Sequence, residues 1–375
     1  MKIAILGASR PHLPLYLKAR EMGLETYCIA WAEGAFCKDY ADHFCDISIV
    51  DKDRIAELCI SENIDGIISN ALEPAVPIMA YVAEKCGYNG ISYEAARRAV
   101  NKKLMRMRIK STGACPQPAF HLMRDSSEIP ELFPAIVKPV DSSCSNGVTK
   151  VSCAADMKDA VERALQASSD KEILIEQYIE GREVSVESIS FRGRHHILAI
   201  TDKETTGAPY FVETAHHQPS CLPAGIQDKI REYTVSMLSA LEIDNGASHA
   251  EFKIDADGNV YFIEVGARGG GDFISYELVR LSTGYDFVKG MIEVALGHFS
   301  EPRLNTGMYS GVYFLSQETS YIKDFIASNA DRDWVVDYCI QEGELKPLRK
   351  SQDRSGYIIY QADHKIIADK NEYEK

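Results

Sequence analysis

The sequence predicts an α/β chain whose N-terminal part is a doubly wound parallel sheet and whose later parts are α+β, ending in a small mixed module. Three observations carry this. "KIAILGA", "ETYCIA" and "DGIIS" are short apolar strands separated by the helical stretches "LPLYLKAREMG" and "DRIAELCISEN", each ended by Gly or Asn. "EVSVESISF" and "RHHILAITDKE" alternate with period two and read as antiparallel strands. Asp257-Gly258 sits between two alternating runs in "HAEFKIDADGNVYFIEV", a strong hairpin signal because both central turn positions favour positive φ.

In chain order, the first α/β region occupies residues 1–98. The turn after its first strand, Gly7-Ala8-Ser9-Arg10-Pro11, lacks the G-x-G-x-x-G spacing that places a pyrophosphate on a helix N-terminus, so NAD is set aside. "YEAARRAVNKKLMRMRIK" reads as one basic helix, and "STGACPQP" marks a boundary. Residues 99–180 then offer the strand "AIVKPV", a polar turn "DSSCSNG", the strand "VTKVS", the helix "AADMKDAVERALQAS" and the strand "EILIEQYI". Residues 181–300 hold the antiparallel strands, a helix from about 226 to 242, the hairpin, and a further helix "ISYELVRLSTGYDFVKGMIEVALG". Residues 301–375, with "GVYFLSQ", "WVVDYCIQ" and "YIIYQAD", form the C-terminal module, a natural lid.

At 375 residues the chain can bury two or three cores. Its formal charge of −14 argues against nucleic acid or an anionic membrane as partner, since either needs a basic surface. No apolar run is long enough for a membrane span, and "MKIAILGASRPH" reads as strand and turn instead of a cleavable signal, so the expected location is the cytoplasm. The ten cysteines include no C-x-x-C pair and read as buried free thiols. A homodimer is compatible with these features.

The hairpin raises the chemical question. A four-residue loop pairs residues whose numbers sum to 515, which sets Phe252 opposite Ile263, Ile254 opposite Tyr261 and Glu251 opposite Glu264; a bulged three-residue loop would instead slip Glu251 against Val265. Like charges directly opposite cost roughly 0.2–1 kcal/mol when exposed and more where water is scarce. Proton sharing, a basic neighbour or a divalent cation could compensate, and the alternative is a solvated surface hairpin. Gly266, Gly269, Gly270 and Gly271 around Arg268 let backbone approach a ligand and favour the cation. Two carboxylates plus substrate phosphates suit Mg²⁺.

Other residues add to this. Lys138 interrupts an apolar strand and needs either a phosphate partner or an exit to water. The hydroxyl-rich loop Ser142, Ser143, Ser145 could close over phosphates, though hairpin loops share that composition. Glu183, Ser185 and Glu187 alternate with Val184 and Val186, which fits either a ribose-facing strand or an ordinary half-exposed sheet.

A strand lysine, a hydroxyl-rich loop, a strand-to-linker with glutamates, and a paired-glutamate hairpin followed by Arg, in that order, resemble the ATP-grasp superfamily. The resemblance covers nearly the whole chain, with residues 1–98 as the pre-ATP-grasp domain and 99–180 and 181–300 as the small and large subdomains. It implies that Lys102 and Lys138 contact ATP phosphates, that Ser142, Ser143 and Ser145 lie in the loop over the triphosphate, that Glu176 and Ile179 meet adenine and Glu183 the ribose. It further implies Glu251 and Glu264 as ligands of Mg²⁺, with Mn²⁺ as an alternative, and Arg268 as the arginine stabilising the transferring phosphoryl. Many relatives carry Asn two residues after the second glutamate, where this chain has Gly266. "EVGAR" and "VETAHHQPSCLP" are most similar to the L-amino-acid ligase and carboxylate–amine ligase branch, which makes Glu213, His216 and His217 substrate-binding candidates and places a D-alanyl-D-alanine-type ligase behind it. The expected activity is ADP-forming ligation of a small-molecule carboxylate and an amine through an acylphosphate, with a bicarbonate-activating or purine-biosynthesis-type enzyme, or a nucleotide-binding protein without turnover, as the alternatives.

Overall fold

The computed structural model describes residues 1–125, 130–142, 146–305 and 307–373. Its N-terminal sheet is parallel and runs β3-β2-β1-β4, from β1 (Lys2–Leu6), β2 (Glu25–Ala30), β3 (His43–Asp46) and β4 (Gly66–Ile68). Ile3, Ala4, Ile5 and Leu6 are all fully buried, because helices cover both faces of such a sheet. The turn after β1 is filled from within: a Cβ on Gly7 would lie 2.4 Å from His12 Nε2, so the glycine makes room for the imidazole.

The second sheet is antiparallel, with β5 (Phe120–Met123), β6 (Ala135–Pro139), β7 (Thr149–Val151) and β8 (Ile173–Gln177) in the order β5-β8-β6-β7. Helix Ala154–Ala167 closes one side of it through Met157, Val161 and Ala164. The third sheet has eight strands: β9 (Arg182–Phe191), β10 (Arg194–Thr205), β11 (Glu213–Gln218), β12 (Gly246–Ile254), β13 (Val260–Gly266), β14 (Tyr309–Leu315), β15 (Val335–Ile340) and β16 (Gly356–Ala362). Their order is β13-β12-β9-β10-β11-β14-β16-β15. Strands β14, β16 and β15 therefore continue the central sheet through the β11–β14 pairing.

Three expectations are corrected. The basic stretch is two helices, Tyr93–Val100 and Lys102–Thr112, because Asn101 is extended at φ −113°, ψ 109° and its side chain accepts a bond from the Leu104 N–H. The break brings the Lys102 N–H to the Val140 carbonyl at 2.8 Å and starts the second helix at Lys102. The later long helix is also divided, into a π turn Ile274–Leu278 and helices Val279–Thr283 and Phe287–Ala295, with Gly284 at φ +73° ending one and Asp286 capping the next.

The third correction concerns the hairpin. Glu251 does face Glu264, but Phe252 faces Phe262 and Ile254 faces Val260, with the register shifting between Glu251 and Phe252. The turn is tighter than the four-residue loop expected: the Asp255 N–H reaches the Asn259 carbonyl across Ala256, Asp257 and Gly258. A bulge at Ile263 then restores the pairing of the glutamates. Its carbonyl accepts from the Arg106 guanidinium at 2.6 Å, which gives the extra residue a hydrogen-bonding role.

Candidate active site

Strands β9, β10, β12 and β13 divide their side chains between two faces. Val184, Val186, Ile200, Ala250 and Phe252 pack on helix Ala224–Leu241 and make the central core. The opposite face carries Glu183, Ser185, Glu187, Lys203, His249, Glu251 and Glu264, brought side by side by the registers Lys203↔Glu183, His249↔Glu187, Glu251↔Ser185 and Glu251↔Glu264. Ser185 and Glu187 are fully buried, which rules out an ordinary half-exposed sheet at these positions.

Every charge on this face has a partner. Lys203, its side chain 3% exposed, holds Glu251 at 2.6 Å, Glu183 at 2.9 Å and Glu213 at 3.4 Å. Burial disfavours its charge, but the three carboxylates outweigh burial and raise its pKa well above the usual lysine value. Glu187 accepts from His249 Nδ1 at 2.5 Å and from the Gly270 N–H and Ser275 hydroxyl. Burial works against a charged His249, yet Glu187 and then Glu251 prevail and bring its pKa to about 9. Burial likewise opposes ionisation of Glu251, and Lys203 and His249 overcome it, holding the carboxyl well below its normal value. A Cβ on Gly270 would lie 2.7 Å from His249 Nδ1, so the glycine-rich loop can press on this pair only without side chains.

Glu264 faces the second sheet. Lys102 Nζ lies 3.1 Å from it and donates to the Ser142 carbonyl at 2.9 Å. Burial would lower the Lys102 pKa, but Glu264 raises it. Behind them lies a buried triad in which Glu176 accepts from Arg106 Nε at 2.7 Å and pairs with Lys138 Nζ at 2.7 Å. Burial favours a neutral Glu176, yet Arg106 and Lys138 keep it ionised with a pKa of about 2. Lys138 is shifted down, first by burial and also by Arg106 and Lys102, against the pull of Glu176. Arg268 Nε is held by Glu73 at 2.7 Å, which outweighs burial and raises the guanidinium pKa; Glu264 and Glu251 add to it electrostatically.

The sequence candidates thus divide. Lys102, Lys138, Glu176, Glu183, Glu213, His216, Glu251, Glu264 and Arg268 line one charged region between the two antiparallel sheets. Glu176 is corrected: Arg106 and Lys138 occupy its carboxylate, and its backbone lies in β8 between the paired strands β5 and β6. Ile179 is buried just past β8. The Ser142 hydroxyl donates to the Ala167 carbonyl, whereas Ser143 and Ser145 lie outside the described residues. His217 is corrected outright. As the neighbour of His216 in β11 it points to the other face, where Tyr360 OH is 3.0 Å from its Nδ1 and Glu204 lies 3.2 Å from Nε2.

Sequence reasoning missed Lys203, His249, Arg106, Glu73, Asp272 and Arg354. Strand parity could have found His249, two positions before Glu251, and Lys203 on a strand already seen to alternate. Glu73, 195 positions from its partner Arg268, leaves no local trace. A cavity of about 80 Å³ between β4 and helix Phe287–Ala295, lined mostly by apolar groups, reaches Arg268, and another of about 590 Å³ lies around Tyr285 and Arg303.

The donor set fits a magnesium ion. Among the described residues no group of three His, Cys, Asp or Glu could hold a metal by itself. Two facing carboxylates are what Mg²⁺ uses when phosphates and water complete its shell.

The charged region thus joins Lys138 of β6, Lys102 at the start of its helix and the facing glutamates of β12 and β13. Residues 131–277 match the family model of the ATP-grasp domain. The chain therefore contains an ATP-grasp domain over these residues. It is 28% identical over 232 residues to D-alanine–D-alanine ligase of Bordetella avium (strain 197N), covering 58% of this chain and 68% of that one. It is 28% identical over 247 residues to dapdiamide A synthase of Enterobacter agglomerans, covering 61% of this chain and 52% of the relative. The crystal structure of L-amino acid ligase from Bacillus licheniformis superimposes with a TM-score of 0.81 at 23% identity, over 97% of this chain and 93% of that one, and shows the shared fold.

Proposed function

We propose that the protein activates the carboxylate of an amino-acid substrate with ATP, forming an acylphosphate and ADP, and passes the acyl group to an amine. The observation that carries this reading is the Glu251–Glu264 pair set against Lys102, with Arg268 on the same charged face. Glu251 and Glu264 would hold Mg²⁺, which when bound neutralises phosphate oxygens and favours transfer of the γ-phosphoryl group. Lys102 and Lys138 bind phosphate oxygens; a phosphate beside Lys138 would also supply the negative charge that the Arg106–Glu176–Lys138 triad lacks. Glu183, held by Lys203 at 2.9 Å, would take ribose hydroxyls. Arg268 stabilises charge on the transferring group. The substrate carboxylate oxygen attacks phosphorus and ADP leaves; the amine nitrogen then attacks the acyl carbon, the C–O bond to phosphate breaks, and the amine gives up a proton.

His216 borders the acyl site. Burial, then Lys203 and Arg354, hold its pKa well below the usual histidine value, so it is a neutral ring that can accept a hydrogen bond and orient an N–H. A position between two sheets, away from bulk water, protects an acylphosphate from hydrolysis. Free thiols throughout the described residues accord with a reducing, cytoplasmic setting.

The reading is tested by ADP release across a panel of L- and D-amino acids and other carboxylates, with and without amines, and by mass spectrometry of the products. A carboxylate and amine pair that raises ADP release and yields the matching amide is expected. ADP release with bicarbonate alone would replace this reading with bicarbonate activation, and no stimulation by any pair would remove it.

A further inference from the structure

The facing of Glu251 and Glu264 does not come from strand alternation. Phe262 and Val265 both pack in the apolar core beneath the sheet, with two residues between them where alternation allows one. Continued from Phe262 without the extra residue, β13 would turn Glu264 into that core, opposite Ala250, and Val265 out of it. The bulge at Ile263 is what brings Glu264 onto the charged face.

Strand β13 is the last of its sheet, and its outer edge is held from helix Lys102–Thr112 and the segment that follows. The Phe262 N–H donates to the Pro116 carbonyl at 2.9 Å, and the adjacent Ile263 carbonyl accepts from Arg106 Nη2 at 2.6 Å. Arg106 is 1% exposed, and its guanidinium carbon lies 5.5 Å from the centre of the Phe262 ring. Its Nε and Nη2 are fixed on Glu176 at 2.7 and 3.2 Å. A buried guanidinium tied to a carboxylate of another sheet offers the bulge a donor of fixed position. One turn earlier on the same helix, Lys102 meets the Glu264 carboxylate at 3.1 Å. The helix therefore holds Glu264 twice, by its carboxylate and by the carbonyl that precedes it.

We infer that Arg106 is a positioning residue for the divalent cation: it secures the bulge at Ile263 and so turns Glu264 out of the core and against Glu251. The same guanidinium shares Glu176 with Lys138, so one group sets both Glu264 and Lys138. Without it the Ile263 carbonyl loses its charged donor, the edge of β13 loosens at the bulge, and Glu264 is no longer fixed relative to Glu251.

This inference rests on the metal role proposed for Glu251 and Glu264, and its test does not need turnover. Binding of Mn²⁺ to the full chain at saturating ADP is followed by electron paramagnetic resonance, with the denaturation midpoint of each variant as the control for folding. Arg106→Met should weaken Mn²⁺ binding by about tenfold or more, the usual effect of losing a group that orients a metal ligand. Arg106→Lys, which keeps a cationic donor, should retain more of the affinity. A merely structural role would make the losses from Arg106→Met and Glu264→Ala multiply. If Arg106 acts through Glu264, Arg106→Met causes little further loss in a chain that already carries Glu264→Ala. Mn²⁺ binding as tight in Glu264→Ala as in the wild-type chain would remove the metal reading and this inference with it. Weakening by Glu264→Ala alone, with parental affinity in both Arg106 variants, or losses that multiply in the double variant, would keep the metal reading and overturn the role of Arg106.

Discussion

The two faces of one set of strands in the eight-stranded sheet both contain fully buried side chains, and they bury them by opposite means. On one face Val184, Val186, Ala250 and Phe252 are sealed against helix Ala224–Leu241. On the other, Ser185 and Glu187 are just as inaccessible, while Lys203 is almost so, and each charge is matched to another. Apolar burial is favourable at about 25 cal/mol per Å². Burial of charges is not, since desolvation consumes much of what pairing returns. The charged face therefore serves what binds to it, and the apolar face holds it in place.

Changes on each face separate the two roles. The largest stability losses are expected from Lys203→Met, which strands Glu183, Glu213 and Glu251 without their shared cation, and from Phe252→Ala in the core, each about 3–5 kcal/mol by chemical denaturation. A Lys203→Met variant as stable as the parent would mean that this face is wet. Glu264→Ala should leave the denaturation midpoint close to that of the parent and cut ADP release by about 10²–10³-fold, the cost typical of losing one transition-state contact. Undiminished turnover would reject its metal role.

A smaller effect comes with acid. Because the Glu176 pKa is depressed to about 2 in the folded chain, its contribution is complete above the unfolded value near 4.5 and is lost as pH falls from there through about 2. Folding should weaken over that window by about 3 kcal/mol, and Glu176→Gln should flatten the dependence; an unchanged pH profile in the variant would contradict the buried triad. The smallest effect is expected from His216→Ala, about tenfold in KM for the acyl or amine substrate with KM for ATP unchanged, worth about 1.4 kcal/mol. The reverse pattern would assign His216 to the nucleotide.

How much of this could be read beforehand depends on the range of each interaction. The facing of Glu251 and Glu264 was expected from a four-residue loop and arises from a tighter turn and a bulge at Ile263. Parity within a strand separated Glu183 and Glu187 from Val184 and Val186. The same rule puts His216 and His217 on opposite faces, and treating the two as one unit ignored it. The bulge at Ile263 depends on Arg106, 157 positions away, and no turn rule contains that. The break at Asn101 was half visible, since Asn is a favoured N-cap, but its reason lies in the distant carbonyl of Val140. Arg354 and Asp272 meet only because the C-terminal strands join the central sheet, a matter of topology and not of local pattern.

The central claim is that this charged face makes an acylphosphate, and hydroxylamine trapping tests it most directly. With ATP, Mg²⁺ and an amino acid that raises ADP release, the wild-type chain should form the amino-acid hydroxamate in step with ADP even when no amine acceptor is present. ADP release without hydroxamate, or hydroxamate formed as readily by Glu264→Ala, would contradict it.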